Sequence, residues 1–103
     1  MHPLIASKRD EIAEICRRLG VKRLEVFGSA ARGDDFDPKE SDADFLVEFE
    51  EWARQPWMGE YQDLEKALSV VLGRPVDLLP LKGVRKPRLL KYINEDRILV
   101  YAG

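Results

Sequence analysis

The chain is poor in cysteine: Cys16 is the only one in 103 residues, so an internal disulfide cannot form. A lone thiol fits a reducing compartment, and the cytoplasm is the expected location. Its place among Ile12, Ile15 and Leu19 reads as a small apolar side chain on a buried helix stripe. The single histidine, His2, sits at the terminus and has no evident role. No apolar run approaches the ~18 residues of a membrane span. The opening MHPLIASKRDEIAEI also lacks the basic-then-apolar order of a signal peptide. Neither membrane association nor secretion is therefore expected. No internal repeat or low-complexity linker appears, and the length predicts one domain over residues 1–103. Excess charge of one sign is missing too, with 17 basic against 19 acidic residues. That balance argues against a protein that coats nucleic acid, whose surface would lean basic.

The charge that is present is segregated. From Asp34 to Glu51 the acids Asp34, Asp35, Asp37, Glu40, Asp42, Asp44, Glu48, Glu50 and Glu51 face one base, Lys39. From Lys82 to Lys91 the bases Lys82, Arg85, Lys86, Arg88 and Lys91 have no acid among them. Two readings stay open: a cation site beside an anion site, or solvated loops of opposite sign.

Periodicity predicts the elements. Ile5, Ile12, Ile15, Cys16 and Leu19 recur at helical spacing, giving a helix over about 4–19 that stops at Gly20. Val21 to Phe27 alternates, with Leu24 and Val26 on one face and Arg23 and Glu25 on the other, and reads as a strand ending at Gly28. Ser29 can cap a short helix through Arg32, stopped by Gly33. Residues from Asp34 to Ser41 read as a loop. Asp42 to Phe49 is a second strand, with Phe45, Val47 and Phe49 pointing one way and Asp42, Asp44, Leu46 and Glu48 the other. An irregular connection carrying Trp52, Pro56, Trp57 and Met58 leads to a helix from about Glu60, ended by Gly73. Val76 to Leu79 is a third strand, Pro87 opens a helix to about Asn94, and Ile98 to Tyr101 is a last strand. The expected fold is α/β (α+β), a small mixed sheet with helices packed on it.

Chemistry is concentrated at two places. Asp42 and Asp44 are two apart on a strand, so their carboxylates share a face and repel unless a cation neutralises them. Magnesium suits such a pair, with water and phosphate completing its shell. Asp77 alternates with Val76 and Leu78. If its strand lies beside that of Asp42, three acids could hold two metals about 4 Å apart. Gly28-Ser29 supplies the anion half, because glycine admits close backbone approach and the amides of the following turn favour phosphate. Each piece has a plainer alternative: a chance acidic pair on an exposed strand, an edge acid facing solvent, a simple N-cap.

Taken together, Phe27-GSAARGDDFDPKESDADFLVEF resembles the signature of the DNA polymerase beta-like nucleotidyltransferases. More narrowly it is similar to their small prokaryotic branch, the minimal nucleotidyltransferases of the MntA type. The resemblance rests on Gly28, Ser29, Ala31-Arg32-Gly33-Asp34, Ser41-Asp42, Asp44 and the apolar strand that follows. Asp77 falls where that family's third carboxylate is expected, and RKPRLLKYINEDRILVYAG also has its look. The gap from Gly-Ser to the first Asp is twelve residues, against a common ten in the family. A surface loop absorbs two residues cheaply.

The resemblance implies transfer of AMP from ATP, with Mg²⁺ (two ions in the full form) on Asp42, Asp44 and Asp77. Asp77 would also help activate the acceptor hydroxyl, and Gly28 and Ser29 would hold the β- and γ-phosphates. Arg32 would either contact phosphate or pair with the aspartates beside it. The implied partner is a HEPN-domain toxin encoded nearby, modified on tyrosine, with this chain as its antitoxin in a shared oligomer. A steric antitoxin without chemistry, or transfer to a small molecule, are the alternatives. Trp52, Trp57 and Met58 read either as a partner surface or as cover for the core. The basic run reads either as steering for the triphosphate or as an ordinary helix surface.

Overall fold

Alternation and helical periodicity resolve into a four-stranded sheet with helices on both faces. The computed structural model describes residues 3–32, 43–53, 59–81 and 86–103. Helices α1 (Pro3–Ser7) and α2 (Arg9–Leu19) precede strand β1 (Val21–Phe27). The short α3 (Ser29–Arg32), strand β2 (Ala43–Phe49) and a 3-10 turn (Glu51–Ala53) follow. Helix α4 (Gly59–Leu72), strand β3 (Val76–Pro80), helix α5 (Pro87–Asp96) and strand β4 (Ile98–Ala102) complete the order.

The sheet runs β3-β2-β1-β4. Strand β1 pairs antiparallel with both β2 and β4, while β2 and β3 are parallel. The parallel pair is made possible by α4, which carries the chain back across the sheet. On the first face, Leu24, Val26, Ala43, Phe45, Val47, Val76 and Val100 meet Ile12, Cys16, Leu64 and Leu68 from α2 and α4. On the second face a smaller cluster of Phe27, Leu46 and Ile93, flanked by Leu79, Leu81 and Leu89, seats α5.

One sequence expectation needs correction. The helix expected over 4–19 is two helices, divided at Lys8, whose backbone sits at φ −103, ψ 10. Ser7 Oγ donates to the Leu4 carbonyl at 3.0 Å, the local competition by which a serine interrupts a helix. Ile5 and Ile12 are seven apart and both fully buried, so the break leaves the apolar stripe intact. Glu25, placed by alternation on a charged face, is 3% exposed. Around Glu25 that face is covered by α5, while Arg23 beside it stays exposed.

Gly20 closes α2 with φ +78 and returns its N–H to the Cys16 carbonyl. A Cβ there would collide with the Ala53 side chain and come within 2.8 Å of the Trp52 ring, so only glycine fits this crossing.

Candidate active site

Strand alternation sends Asp44 and Asp77 to the face that α5 covers, since Phe45 and Val47, and Val76 and Leu78, pack on the opposite one. In the β2–β3 ladder Asp44 stands directly beside Asp77. Neighbouring strands lie about 4.8 Å apart, so the two carboxylates project side by side. Asp44 is half-buried and Asp77, on the edge strand, is exposed. The condition set by the sequence, that the Asp77 strand flank the Asp42 strand, is thus met. Asp42 itself lies outside the described residues, as do the Asp34–Ser41 loop, Trp57, Met58, Lys82 and Arg85.

In the β1–β2 ladder Phe27 partners Asp44, which brings the following Gly28 to the same corner. Gly28 has φ +70, a left-handed conformation that strains other residues. Its carbonyl accepts the N–H groups of Ala31 and Arg32 at 3.0 and 3.1 Å, starting α3 at the expected place. A Cβ on Gly28 would lie 3.2 Å from Asp44 Oδ2 and 2.9 Å from Tyr92 Oη. Glycine here, with no Cβ, lets a carboxylate and a phenol close in on the turn from either side.

Arg32 closes the corner from α3. Its Nη1 donates to Asp96 Oδ2 at 2.8 Å, and its guanidinium lies 6.0 Å from the Tyr92 ring centroid. The described ion pair is thus with a distant helix; the aspartates next to Arg32 in sequence lie outside the described residues. Tyr92 also meets Phe27 edge-on, with ring centroids 6.3 Å apart.

Beneath the corner, Arg97 grips Glu25 with two bonds, Nε to Oε1 at 2.7 Å and Nη2 to Oε2 at 2.9 Å. Arg23 Nε adds a third to Oε2 at 2.7 Å. The Arg97 bonds, reinforced by Arg23, hold the Glu25 carboxyl below its ordinary value despite burial, which acts the other way. This cluster ties the end of α5 to β1. Neither Tyr92 nor Glu25 was singled out from the sequence as a site residue. One signal was available: Phe27 and Leu46 share a face with Glu25 and Asp44, and apolar residues there mark that face as covered.

Two adjacent carboxylates, one half-buried and one open to solvent, form an all-oxygen donor set suited to a hard divalent cation. Among the described residues no cluster of three such ligands occurs; Asp42 lies outside them. Cys16 takes no part. It is buried, and burial pushes its thiol up to about 12, so it stays protonated and inert. Trp52 is 69% exposed and lies over Gly20, far along the fold from the acids. Lys86, Arg88 and Lys91 are exposed on α5 or its cap.

The mixed sheet thus sets two neighbouring carboxylates beside a left-handed glycine turn. The family model for the nucleotidyltransferase domain matches residues 9–100, and the chain belongs to that family. A Methanocaldococcus jannaschii protein named as a candidate protein adenylyltransferase is 40% identical, over 87% of this chain and 95% of its own. The protein adenylyltransferase MntA of Thermococcus cleftensis is 36% identical, over 84% and 82%. A solved structure described as a candidate minimal nucleotidyltransferase shares 35% identity and a TM-score of 0.71 across 95% of both chains. A chain from a tri-AMPylated Shewanella oneidensis HEPN toxin in complex with its MNT antitoxin gives a TM-score of 0.63 at 17% identity. It covers 96% of this chain and 73% of that one, a likeness of fold alone. Among the described residues no helix is long and apolar enough to cross a membrane.

Proposed function

We propose that this chain is a Mg²⁺-dependent nucleotidyltransferase that moves AMP from ATP onto a tyrosine hydroxyl of a HEPN-type toxin, acting as its antitoxin. The observation that carries the reading is the in-register Asp44 and Asp77 beside the Gly28 turn. The names of the relatives support adenylyl transfer to a protein, and the HEPN complex supports the kind of partner. Residues 1–103 are read as one minimal domain, with the acceptor supplied by the partner and the pair acting in the cytoplasm.

In this reading Asp42, Asp44 and Asp77 hold the metal. Bound Mg²⁺ supplies positive charge against the triphosphate and the charge that develops in transfer. The Gly28–Ser29 backbone and the Ser29 hydroxyl would hold the β- and γ-phosphates, with Arg32 assigned to join them. The acceptor oxygen attacks the α-phosphorus as the bond to the bridging oxygen of pyrophosphate breaks. A phosphodiester forms, pyrophosphate leaves, and Asp77 is the base assigned to the hydroxyl proton. The chain's contribution is mainly positioning and charge neutralisation.

Labelled ATP, Mg²⁺ and the toxin encoded beside this chain should give label on the toxin, and the Asp42→Asn/Asp44→Asn double variant should give none. Absence of label with folded wild-type protein would rule the reading out. A second reading, steric inhibition without chemistry, is favoured by the exposed Trp52 and by an apolar groove of about 530 Å³ between α2 and α4. It prevails if the double variant neutralises the toxin as well as wild type does.

A further inference from the structure

Helix α5 carries a feature that the carboxylate site does not use. Tyr92 and Asp96 are four apart and share one side of the helix. Ile93, 1% exposed, roots the helix in the second apolar cluster, and Arg97 pins its end to Glu25. The Tyr92 ring is held on one side by Phe27, and Arg32, itself paired with Asp96, lies beside it. Tyr92 as a whole is 40% exposed. Its hydroxyl reaches past the ring packing to the Gly28 turn, into the place a Cβ would need, and Asp44 Oδ2 borders the same place. A phenylalanine would satisfy the packing against Phe27, so packing alone does not account for the hydroxyl.

We propose that Tyr92 is a triphosphate-binding residue, its hydroxyl donating a hydrogen bond to a β- or γ-phosphate oxygen held beside the Gly28 turn. The inference rests on the nucleotidyl-transfer reading above. A neutral phenol suits this corner because it can approach Asp44 without adding a charge and still donate to an anion. Arg32 brings positive charge to the same corner, and Asp96 holds it in position. Helix α5 is thereby the outer wall of the phosphate site as well as a cover for the sheet.

The test is Tyr92→Phe in the full chain, with ATP and AMP binding measured by calorimetry in Mg²⁺ and the melting temperature measured alongside. Loss of one hydrogen bond to a charged group should weaken ATP about tenfold or more. AMP, which lacks the β- and γ-phosphates, should bind as it does to wild type, and the melting temperature should hold. Unchanged ATP affinity would overturn the proposal and leave the transfer reading standing. So would equal weakening of ATP and AMP together with a lower melting temperature, the mark of a purely structural role. If wild-type protein bound no ATP in Mg²⁺, the transfer reading itself would fall, and this inference with it.

Discussion

The two faces of the sheet are built to opposite rules. The α2/α4 face is apolar throughout, and Phe45, Leu24, Val26, Leu64 and Leu68 are fully buried there. The α5 face has three buried apolar residues and surrounds them with Asp44, Asp77, Glu25, Arg32, Tyr92 and Arg97. A sheet that must fold and also hold an anion beside carboxylates cannot do both with the same side chains. One face supplies the hydrophobic free energy, which leaves the other free to carry repulsive, partly desolvated groups. On the proposed function, stability and chemistry are separable by strand parity: adjacent residues of β2, Asp44 and Phe45, belong to different tasks.

Substitutions at those two neighbours give the strongest contrast. Asp44→Asn should lower toxin labelling about a thousandfold or more, consistent with several kcal/mol of lost charge stabilisation, while circular dichroism stays native and the melting temperature does not fall. Phe45→Ala should do the reverse, losing about 3–5 kcal/mol in urea titrations while the folded fraction retains its specific activity. If Asp44→Asn unfolded the chain, or Phe45→Ala abolished activity in the folded fraction, the division between faces would be wrong.

Asp77→Asn sharpens the same point with a change of sign. Like charges side by side in a ladder are destabilising, so without metal this variant should melt higher than wild type, by up to about 1 kcal/mol. Added Mg²⁺ should raise the wild-type melting temperature and leave the variant nearly unmoved. A wild type indifferent to Mg²⁺ would count against the carboxylate pair as a cation site.

The α2/α4 face was legible because its signal is redundant. Ile12, Ile15 and Cys16 repeat on α2, Leu64, Leu68 and Leu72 on α4, and Phe45, Val47 and Phe49 on β2, all buried as expected. The meeting of Asp44 with Asp77 was legible only conditionally, since alternation assigns faces but not strand order. Glu25 and Tyr92 were not legible. Glu25 looks like any outward strand acid until Arg97, 72 residues on, is folded against it. Tyr92 looks like helix surface until Gly28, with no side chain of its own, lets its hydroxyl close in on the turn. Local pattern predicts which face a residue takes; long-range contact decides what that face becomes.

The Glu25 cluster offers the smallest expected effect and a distinctive one, because it depends on pH. Glu25→Gln keeps the shape and removes the charge-assisted bonds to Arg97 and Arg23, both of which stay partly open to water. The arginines can therefore resolvate, and the loss at neutral pH should be about 1–2 kcal/mol, below that for a fully buried pair. The folded carboxyl lies below its ordinary value of 4.5, so its contribution is complete above 4.5 and disappears as pH falls through the lower, folded value. Urea midpoints of wild type and Glu25→Gln should stay separated by a constant amount above pH 5 or so and converge on the acid side. A gap that persisted unchanged into acid would mean that Glu25 acts through its shape rather than its charge. The tie between α5 and β1 would then be packing, as on the other face.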